Sequence, residues 1–376
     1  MKNIMKCVLL VLFLIILLVF PAPIIESVKL GLNTWVQKVI PALFPFFVLT
    51  RLMIHFQLPQ MIGKVLSPIF KHLLKMSPIT FFIILISLIS GNPSGPKMAK
   101  EYYEKNLITE REARGILYFC NFASPLFIIG TIGVVLYHST TIGYLMLCAH
   151  FLSSLIIFLF CYRYFKTDSN RKIEIVFPNQ SFAEILIDCI ENSIQTLLRV
   201  GGIIVFYYIL TTILEVIHVI PVLDASVLPL LANETLPTTE PLVAGFFEFV
   251  QGVIKLADTP MTLQIQLALT AFYVSFAGLS VHTQTFMFSS GIHANYFHYF
   301  VLRVVHGVAS FVFVMVAYPF FMSGNEDVYL PVFAPMINPY EPYIQITMLL
   351  IMIYFIVKLT RGFSRGKKTY RQLPMS

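Results

Sequence analysis

Apolar runs of about twenty residues recur along almost the whole chain. Of its 376 residues, 57% are hydrophobic and only 12% are charged, about half the charged fraction of a soluble domain. Runs of this length cross a bilayer as helices, which satisfy their own backbone hydrogen bonds in lipid. The alternating ten-residue pattern of a membrane barrel is absent. The sequence therefore predicts an all-α polytopic membrane protein whose surroundings are a lipid bilayer.

Basic and acidic loops predict how the chain crosses the membrane. Short loops rich in Lys and Arg stay cytoplasmic, and the tail after residue 357 and the loop near 163–172 are basic. The loops 219–241 and 323–341 carry acidic residues and no basic ones. Both termini are therefore predicted to be cytoplasmic. The predicted spans lie near 5–25, 35–56, 116–137, 141–162, 197–219, 262–290, 296–322 and 342–360.

The segments outside these spans are interpreted from their polarity. Residues 61–76 mix apolar residues with lysines, which indicates a helix lying in the membrane interface. The polar stretch 166–180 is a loop. The first apolar run resembles a signal peptide but lacks a small-residue cleavage pattern, so we interpret it as an uncleaved helix.

Two further apolar stretches are broken before they could cross a bilayer. The first, near 79–97, contains Gly91-Asn-Pro-Ser-Gly-Pro96, in which two prolines and two glycines stop a helix and permit a reversal. The second lies near 241–257. Broken segments in corresponding positions of two halves indicate a transporter's substrate site. We interpret both as re-entrant helical hairpins, although an ordinary cytoplasmic turn is the alternative for the first.

The predicted topology places the two halves of the chain in opposite orientations. The first hairpin enters from the cytoplasmic face and the second from the external face, and each precedes two more spans. Lys97-Met-Ala99 matches Lys255-Leu-Ala257, and Phe122–Leu126 weakly matches Phe276–Ser280. The pattern predicts an inverted repeat, the arrangement on which alternating access is built.

Polar residues at the interruptions are the candidate substrate ligands. Lys97 and Lys255 follow the two breaks, and inside a membrane they are costly unless they are paired or meet a negative ligand. Snorkelling to the headgroups is the alternative for Lys97, and an ion pair with Glu248 or Asp258 is the alternative for Lys255. The small polar residues also suit close helix packing. The candidate substrate-binding residues are Asn92, Ser94, Lys97, Asn121, Ser124, Lys255, Ser275 and Ser280.

No constellation in the sequence indicates catalysis or metal binding. The five cysteines are scattered without a Cys-x-x-Cys, and Glu215-x-x-His218 occurs once where a di-iron bundle needs two copies. Neither His-Glu-x-x-His nor Gly-x-Ser-x-Gly occurs. We expect a non-enzyme without catalytic residues, metal, cofactor or nucleic-acid partner. Its histidines are expected at the membrane interface.

Three runs resemble the YlbJ-type sporulation integral membrane proteins. They are Leu43-Phe-Pro-Phe-Phe47, Ser90-Gly-Asn-Pro-Ser-Gly-Pro-Lys97 and Asn121-Phe-Ala-Ser-Pro-Leu-Phe127. The resemblance covers nearly the whole chain and is strongest over 30–160. This family, also called stage V sporulation protein SpoVV, belongs to the nucleoside-recognition Gate-domain membrane proteins, distantly similar to concentrative nucleoside transporters. The commoner Ser-Gly-Tyr-Pro-x-Gly-Ala-Lys pattern has Asn92 in place of Tyr and Pro96 in place of Ala here.

The resemblance implies a role in endospore formation. Such a protein would pass dipicolinic acid from the mother cell across the outer forespore membrane. Dipicolinate is a planar pyridine with two carboxylates, so two half-helix ends and two lysines would suit its charges. Phe122 and Phe276 could flank its ring.

The resemblance also assigns a domain organisation. It comprises an N-terminal transmembrane helix (1–28), a first Gate-like repeat (29–165), a cytoplasmic loop (166–182), a second inverted repeat (183–322), and an external loop with the last transmembrane helix and a basic cytoplasmic tail (323–376).

Two other functions stay open at this point. A nucleoside or nucleobase transporter would read its ligand with amides and carboxylates and would need paired cations less. A non-transporting assembly protein of the spore envelope would have no use for symmetric broken segments. The coupling ion and the oligomeric state, including a homo-oligomer, also stay open.

Overall fold

The computed structural model describes residues 2–58, 61, 76–166, 180–228 and 238–322. Helices form most of these residues and no strand occurs among them, which confirms the all-α prediction. The predicted interfacial helix 61–76 and the loop 166–182 lie largely outside the described residues. So do part of the loop 219–241 and all of 323–376, with the last predicted span and the tail.

The described residues form fourteen helices, numbered in chain order, with short breaks inside several of the apolar segments. They are α1 Lys2–Val19, α2 Pro21–His55, α3 Pro78–Ser90, α4 Ser94–Glu104, α5 Glu110–Phe119, α6 Phe127–Leu136, α7 Thr140–Phe165, α8 Phe182–Val216, α9 Val219–Val227, α10 Glu240–Phe247, α11 Phe249–Ala257, α12 Leu263–Phe276, α13 Gly278–Phe286 and α14 Tyr296–Met322. Helix α2 contains a π-helical turn at Trp35–Val39, and α6 is π-helical throughout.

Serine and threonine side chains begin several of these helices. Ser77 and Ser139 accept hydrogen bonds from the backbone N–H three residues on, at 3.1 and 3.3 Å. Thr109 and Ser181 form reciprocal capping boxes with the glutamates three residues later. Each cap satisfies N–H groups that the first turn of a helix leaves free, so local sequence determines where α3, α5, α7 and α8 start.

The outer surface is apolar and the interior holds the polar groups, as a bilayer requires. Phe320 is 80% exposed and Leu159 is 74% exposed, whereas Arg303 and Ser275 are fully buried. Within the described residues, five segments are long and apolar enough to cross a membrane, which supports a multi-pass membrane protein. They are Pro21–His55, Thr140–Phe165, Phe182–Val216, Leu263–Phe286 and Tyr296–Met322.

The same order of helices occurs twice along the described chain. Helices α2 and α8 are 35 residues long, and two pairs of short helices with a break inside each pair come after each of them; the second series has the additional short helix α9 directly after α8. The first series ends with α7 (26 residues) and the second with α14 (27 residues). Helix α2 packs along α8, and α7 packs along α14, so equivalent helices of the two series are neighbours.

Several predicted spans differ from the helices in the structure. Those predicted at 35–56 and 197–219 start well inside α2 and α8, and the one at 262–290 is divided at Ala277. The span predicted at 5–25 is divided at Phe20, and α2 begins at Pro21 because proline suits the first turn of a helix. The boundary placed at 28/29 therefore lies inside α2. The span predicted at 116–137 is α5 and α6, with a non-helical segment at 120–124 just before Pro125, which disfavours a helical residue ahead of it.

Candidate functional site

The break between α3 and α4 lies against the break between α5 and α6. Gly91 has φ 74° and ψ −174°, a conformation that is essentially open only to glycine. A Cβ on this residue would lie 2.8 Å from the backbone nitrogen of Ser124. The N–H of Asn92 donates to the carbonyl oxygen of Phe122 at 2.8 Å. These contacts fix the tip of the α3–α4 pair on segment 120–124.

The second series repeats this contact with different residues. Glu248 alone separates α10 from α11, in an extended conformation. Helix α12 ends where Ala277 and Gly278 both have positive φ, and a Cβ on Gly278 would lie 2.9 Å from the nitrogen of Phe249. The hydroxyl of Ser280 donates to Glu248 Oε1 at 3.3 Å. The tip of α10–α11 thus lies against the α12–α13 break.

All four breaks contribute to one cavity of about 50 Å³. Its polar lining residues are Asn92, Ser124, Glu248 and Gln284, and its aromatic ones are Phe122, Phe127 and Phe249. The long helices close it with Val39 and Leu43 of α2 and Val200 and Ile204 of α8. This volume suits a few water molecules, so a planar organic ligand would require the cavity to widen.

Asn92 brings an unused acceptor to this cavity. Its Oδ1 is buried and has no hydrogen-bond partner within the described parts of the chain. A buried polar atom without a partner is costly, and native structures usually satisfy such atoms. A ligand or water that donates a hydrogen bond would remove this cost.

The candidate ligands in the α5–α6 and α12–α13 breaks lie at the wall of the central cavity or behind it. Ser124 lines the cavity and Ser280 contacts Glu248. Asn121 is buried behind the wall, where its Oδ1 accepts hydrogen bonds from the hydroxyls of Thr285 and Tyr299. Ser275 lies in the same layer and hydrogen-bonds to His150 and Ser310.

Ser94 and Lys97 line a second cavity of about 30 Å³ between α2, α4 and α8. The Nζ of Lys97 donates to the hydroxyl of Thr196. Arg51 and Glu101 form an ion pair across this cavity at 3.2 Å. Lys97 therefore lies beside the first tip rather than in the central cavity.

Lys255 lies apart from Lys97 and is paired with an acid. Its Nζ forms an ion pair with Glu240, at the start of α10. The sequence suggested Glu248 or Asp258 as its partner; the fold-back of α11 on α10 provides Glu240 instead. The structure does not bring the two lysines to one cavity, and Phe276 stacks on Phe246 and Phe272 instead of lining the central cavity.

A buried polar network, which the sequence interpretation missed, holds the unwound backbone in place. Arg303 is fully buried and donates to the carbonyl oxygens of Tyr118 (3.1 Å) and Asn121 (3.3 Å) at the end of α5. A cation at this end of a helix is favourable. Ala123 N–H donates to His150 Nε2 at 3.2 Å. These bonds satisfy backbone groups that the break would leave free.

The histidine prediction is wrong for the residues of this layer. His150, His282 and His306 are at most 1% exposed. His282 Nε2 donates to the carbonyl oxygen of Phe276, the last residue of α12, at 3.0 Å. Spacing along the chain gave no signal for the contacts of His150 with Ser275 and of His306 with the carbonyl of His150, because each joins helices distant in sequence. Glu248, by contrast, could be singled out from the sequence, because an acidic residue inside an apolar run indicates a functional position in a membrane protein.

The comparison with known proteins agrees with the motifs. The chain is 28% identical, over an alignment of 383 positions, to the sporulation integral membrane protein YlbJ of Bacillus subtilis (strain 168), across 92% of this chain and 94% of that protein. This similarity confirms the YlbJ-type resemblance. No family model matches the chain, and no solved structure matches it. With the five apolar segments, the YlbJ similarity supports a multi-pass sporulation membrane protein.

Proposed function

We propose that this protein is a transporter that moves a small planar solute across a membrane during sporulation, with dipicolinate as the candidate substrate. The observation that carries the proposal is the meeting of four helix breaks at one cavity. Non-helical backbone at membrane depth is tolerated inside protein or beside water. In secondary transporters such broken helices surround the substrate.

The repeated order of helices supports a mechanism of alternating access. In this proposal the two series form an inverted repeat, and the α3–α4 and α10–α11 pairs are re-entrant hairpins that enter from opposite faces. The packing of α2 on α8 and of α7 on α14 fits a pair of related halves. The proposed location is the outer forespore membrane, where the substrate arrives from the mother cell.

The polar lining of the cavity suits a flat ligand with carboxylates. The amide groups of Asn92 and Gln284 can donate hydrogen bonds, and Phe122 and Phe249 offer rings on which a pyridine can pack. Helix α11 begins at Phe249, so the positive end of its dipole lies at the cavity. Lys97, in the neighbouring cavity, adds a positive charge near the first tip.

One feature favours a nucleoside or nucleobase as the alternative substrate. Glu248 lines the cavity together with the amides of Asn92 and Gln284. A carboxylate and amides can form hydrogen bonds with the hydroxyls of a ribose or the N–H groups of a base. An ionised Glu248 would instead repel dipicolinate. The choice between these substrates therefore depends on the state of this carboxyl group.

Uptake into proteoliposomes tests the proposal directly. We expect the purified full chain to take up labelled dipicolinate in a saturable manner and uridine far less. Asn92→Ala should reduce dipicolinate uptake by about tenfold to a hundredfold, since one good hydrogen bond to a charged ligand is worth about 1.5–3 kcal/mol. The control Asn192→Ala removes an asparagine of α8 that bonds Asp188 outside the cavity.

The possible outcomes separate the candidate functions. Uridine uptake without dipicolinate uptake would support the nucleoside alternative. No uptake of either compound by correctly folded protein would contradict a transporter and favour an assembly role. Equal dipicolinate uptake by the Asn92→Ala and Asn192→Ala variants would remove the central cavity from the proposal.

A further inference from the structure

We propose that Glu248 is a proton-binding site that couples substrate movement to proton movement. In this scheme the Glu248 carboxyl binds a proton when an anionic substrate occupies the central cavity and releases that proton after the substrate leaves. The inference rests on the proposed transport function and assigns the co-transported ion.

The position of Glu248 makes it a group that the substrate must meet. It is the single residue between α10 and α11, is 1% exposed and lines the central cavity. Its counterpart in the first series is the break at 91–93, which carries the neutral Asn92. The two tips are therefore unequal in charge, and the acid belongs to one of them.

Within the described part of the chain, Glu248 has no basic partner that would stabilise its charge. No ion pair among the described residues includes it, and the nearby Lys255 is paired with Glu240. A carboxylate buried without a cation is unfavourable, and such a group commonly takes up a proton instead. Acids inside membrane segments are frequent members of proton pathways for this reason.

The hydrogen bonds of Glu248 are compatible with both of its forms. Oε2 accepts the backbone N–H of Gln251 at 2.7 Å, and Oε1 lies 3.3 Å from the hydroxyl of Ser280. A hydroxyl donates to an ionised oxygen and accepts from a protonated one. Oε1 therefore keeps its hydrogen bond to Ser280 whether the carboxyl is protonated or ionised. Protonation and deprotonation need no rearrangement of the tip.

These contacts also suit a proton better than a metal cation. Both carboxyl oxygens face N–H or O–H donors, whereas hard cations need several oxygen ligands around one point. The cavity around Glu248 is otherwise lined largely by valine, alanine and phenylalanine.

Several titratable groups on the surrounding helices have partners of their own. They are Tyr208 of α8, bonded to Thr34; Tyr207 of α8, bonded to Thr283; Tyr273 of α12, bonded to the carbonyl of Leu242; His282 of α13, bonded to the carbonyl of Phe276; and the Lys255–Glu240 pair of α11 and α10, which Glu215 of α8 joins. Each of these bonds is made to a group other than the Glu248 carboxyl. Among the described residues that line the central cavity, Glu248 is the titratable one. A dicarboxylate in the cavity would therefore meet this carboxyl group, and like charges favour proton uptake.

The test compares net accumulation with exchange in proteoliposomes that contain the full chain. Labelled dipicolinate is the probe, and the membrane potential is clamped. For each coupled proton, an inward gradient of about one pH unit supports about tenfold accumulation in the wild type. Glu248→Gln imitates the protonated side chain, so we expect it to lose this accumulation and to keep dipicolinate exchange. Glu191→Gln, an exposed glutamate of α8, should behave as the wild type.

Each outcome supports or overturns the assignment. Proton-driven accumulation by Glu248→Gln equal to that of the wild type would overturn it, as would accumulation driven by a sodium gradient alone. If the wild type neither exchanges nor accumulates dipicolinate, the transport function fails separately. Infrared difference spectra across pH then decide the inference: a protonated-carboxyl band that titrates in the wild type and is missing from Glu248→Gln supports it, and identical spectra refute it.

Discussion

Replacing Gly91 by alanine tests whether the tip of the α3–α4 pair must lie on the break between α5 and α6. At φ 74° and ψ −174°, Gly91 occupies a backbone region that side chains rarely enter. The added Cβ would lie 2.8 Å from the nitrogen of Ser124 and 3.1 Å from its Cβ. The obstacle is largely backbone, so turning a side chain cannot remove it.

The cost of this substitution has two parts. Strain in this backbone region is worth about 1–3 kcal/mol for a residue other than glycine. Relief of the contact requires segment 120–124 to move, which weakens the Asn92 N–H bond to Phe122, worth about 1 kcal/mol. We therefore expect Gly91→Ala to destabilise the protein by about 2–4 kcal/mol. Because Phe122 and Ser124 line the cavity, dipicolinate uptake should fall as well.

Thermal unfolding of the purified protein in detergent measures the loss of stability in Gly91→Ala, with Gly202→Ala as the matched control. Gly202 lies inside α8, and a Cβ added to it would meet no neighbouring atom within 4 Å. Alanine there should be neutral or stabilising by about 0.5–1 kcal/mol, because it favours a helix interior over glycine. Equal melting temperatures and equal uptake for the two variants would refute the contact between tip and break.

Two further substitutions test the buried arginine and the two lysines. Arg303→Met should lower the free energy of unfolding by about 1–3 kcal/mol, at about 0.6–1.7 kcal/mol for each of its two hydrogen bonds to carbonyl oxygens. The control Arg199→Met, at an exposed position, should leave the melting temperature unchanged. Equal melting temperatures for the two variants would contradict the capping role of Arg303. Lys97→Ala should reduce dipicolinate uptake and Lys255→Ala should not, because Lys255 is already paired with Glu240. If Lys255→Ala lost uptake and Lys97→Ala kept it, the placement of Lys97 beside the first tip as the lysine that acts on the substrate would be contradicted.

The first break could be predicted because its cause is local. Gly91 and Pro93 lie in the non-helical turn, and Gly95 and Pro96 fall in the first turn of α4, where proline is tolerated. A helix that reaches this run therefore ends, and a new one begins. The break at Glu248 has no such residue at its centre. It depends on Gly278 and Ser280, which lie on a later helix and contact it across the fold. Tertiary contact, not local preference, accounts for this break.

The partners of the charged residues could not be predicted for the same reason. Lys255 has Asp258 three residues away in sequence, but α11 folds back on α10 and brings Glu240 to it. Arg303 reaches the end of α5, more than 180 residues earlier in the chain. Membrane helices of similar hydropathy give no signal of which pairs will pack, so such contacts appear only in the folded structure.

The distribution of polar contacts indicates which parts of the molecule move together. Several hydrogen bonds join the first series to the second around the breaks. Among them are those from Arg303 to the carbonyls of Tyr118 and Asn121, from Thr285 and Tyr299 to the Asn121 side chain, and between His150 of α7 and Ser275. At about 0.6 kcal/mol each, breaking these five alone would cost about 3 kcal/mol. Each tip is joined to the break of its own series by few hydrogen bonds, chiefly the Asn92 bond to Phe122 in the first series and the Ser280 bond to Glu248 in the second. We therefore expect the cavity to widen by displacement of the tips, while the broken helices stay joined as a frame.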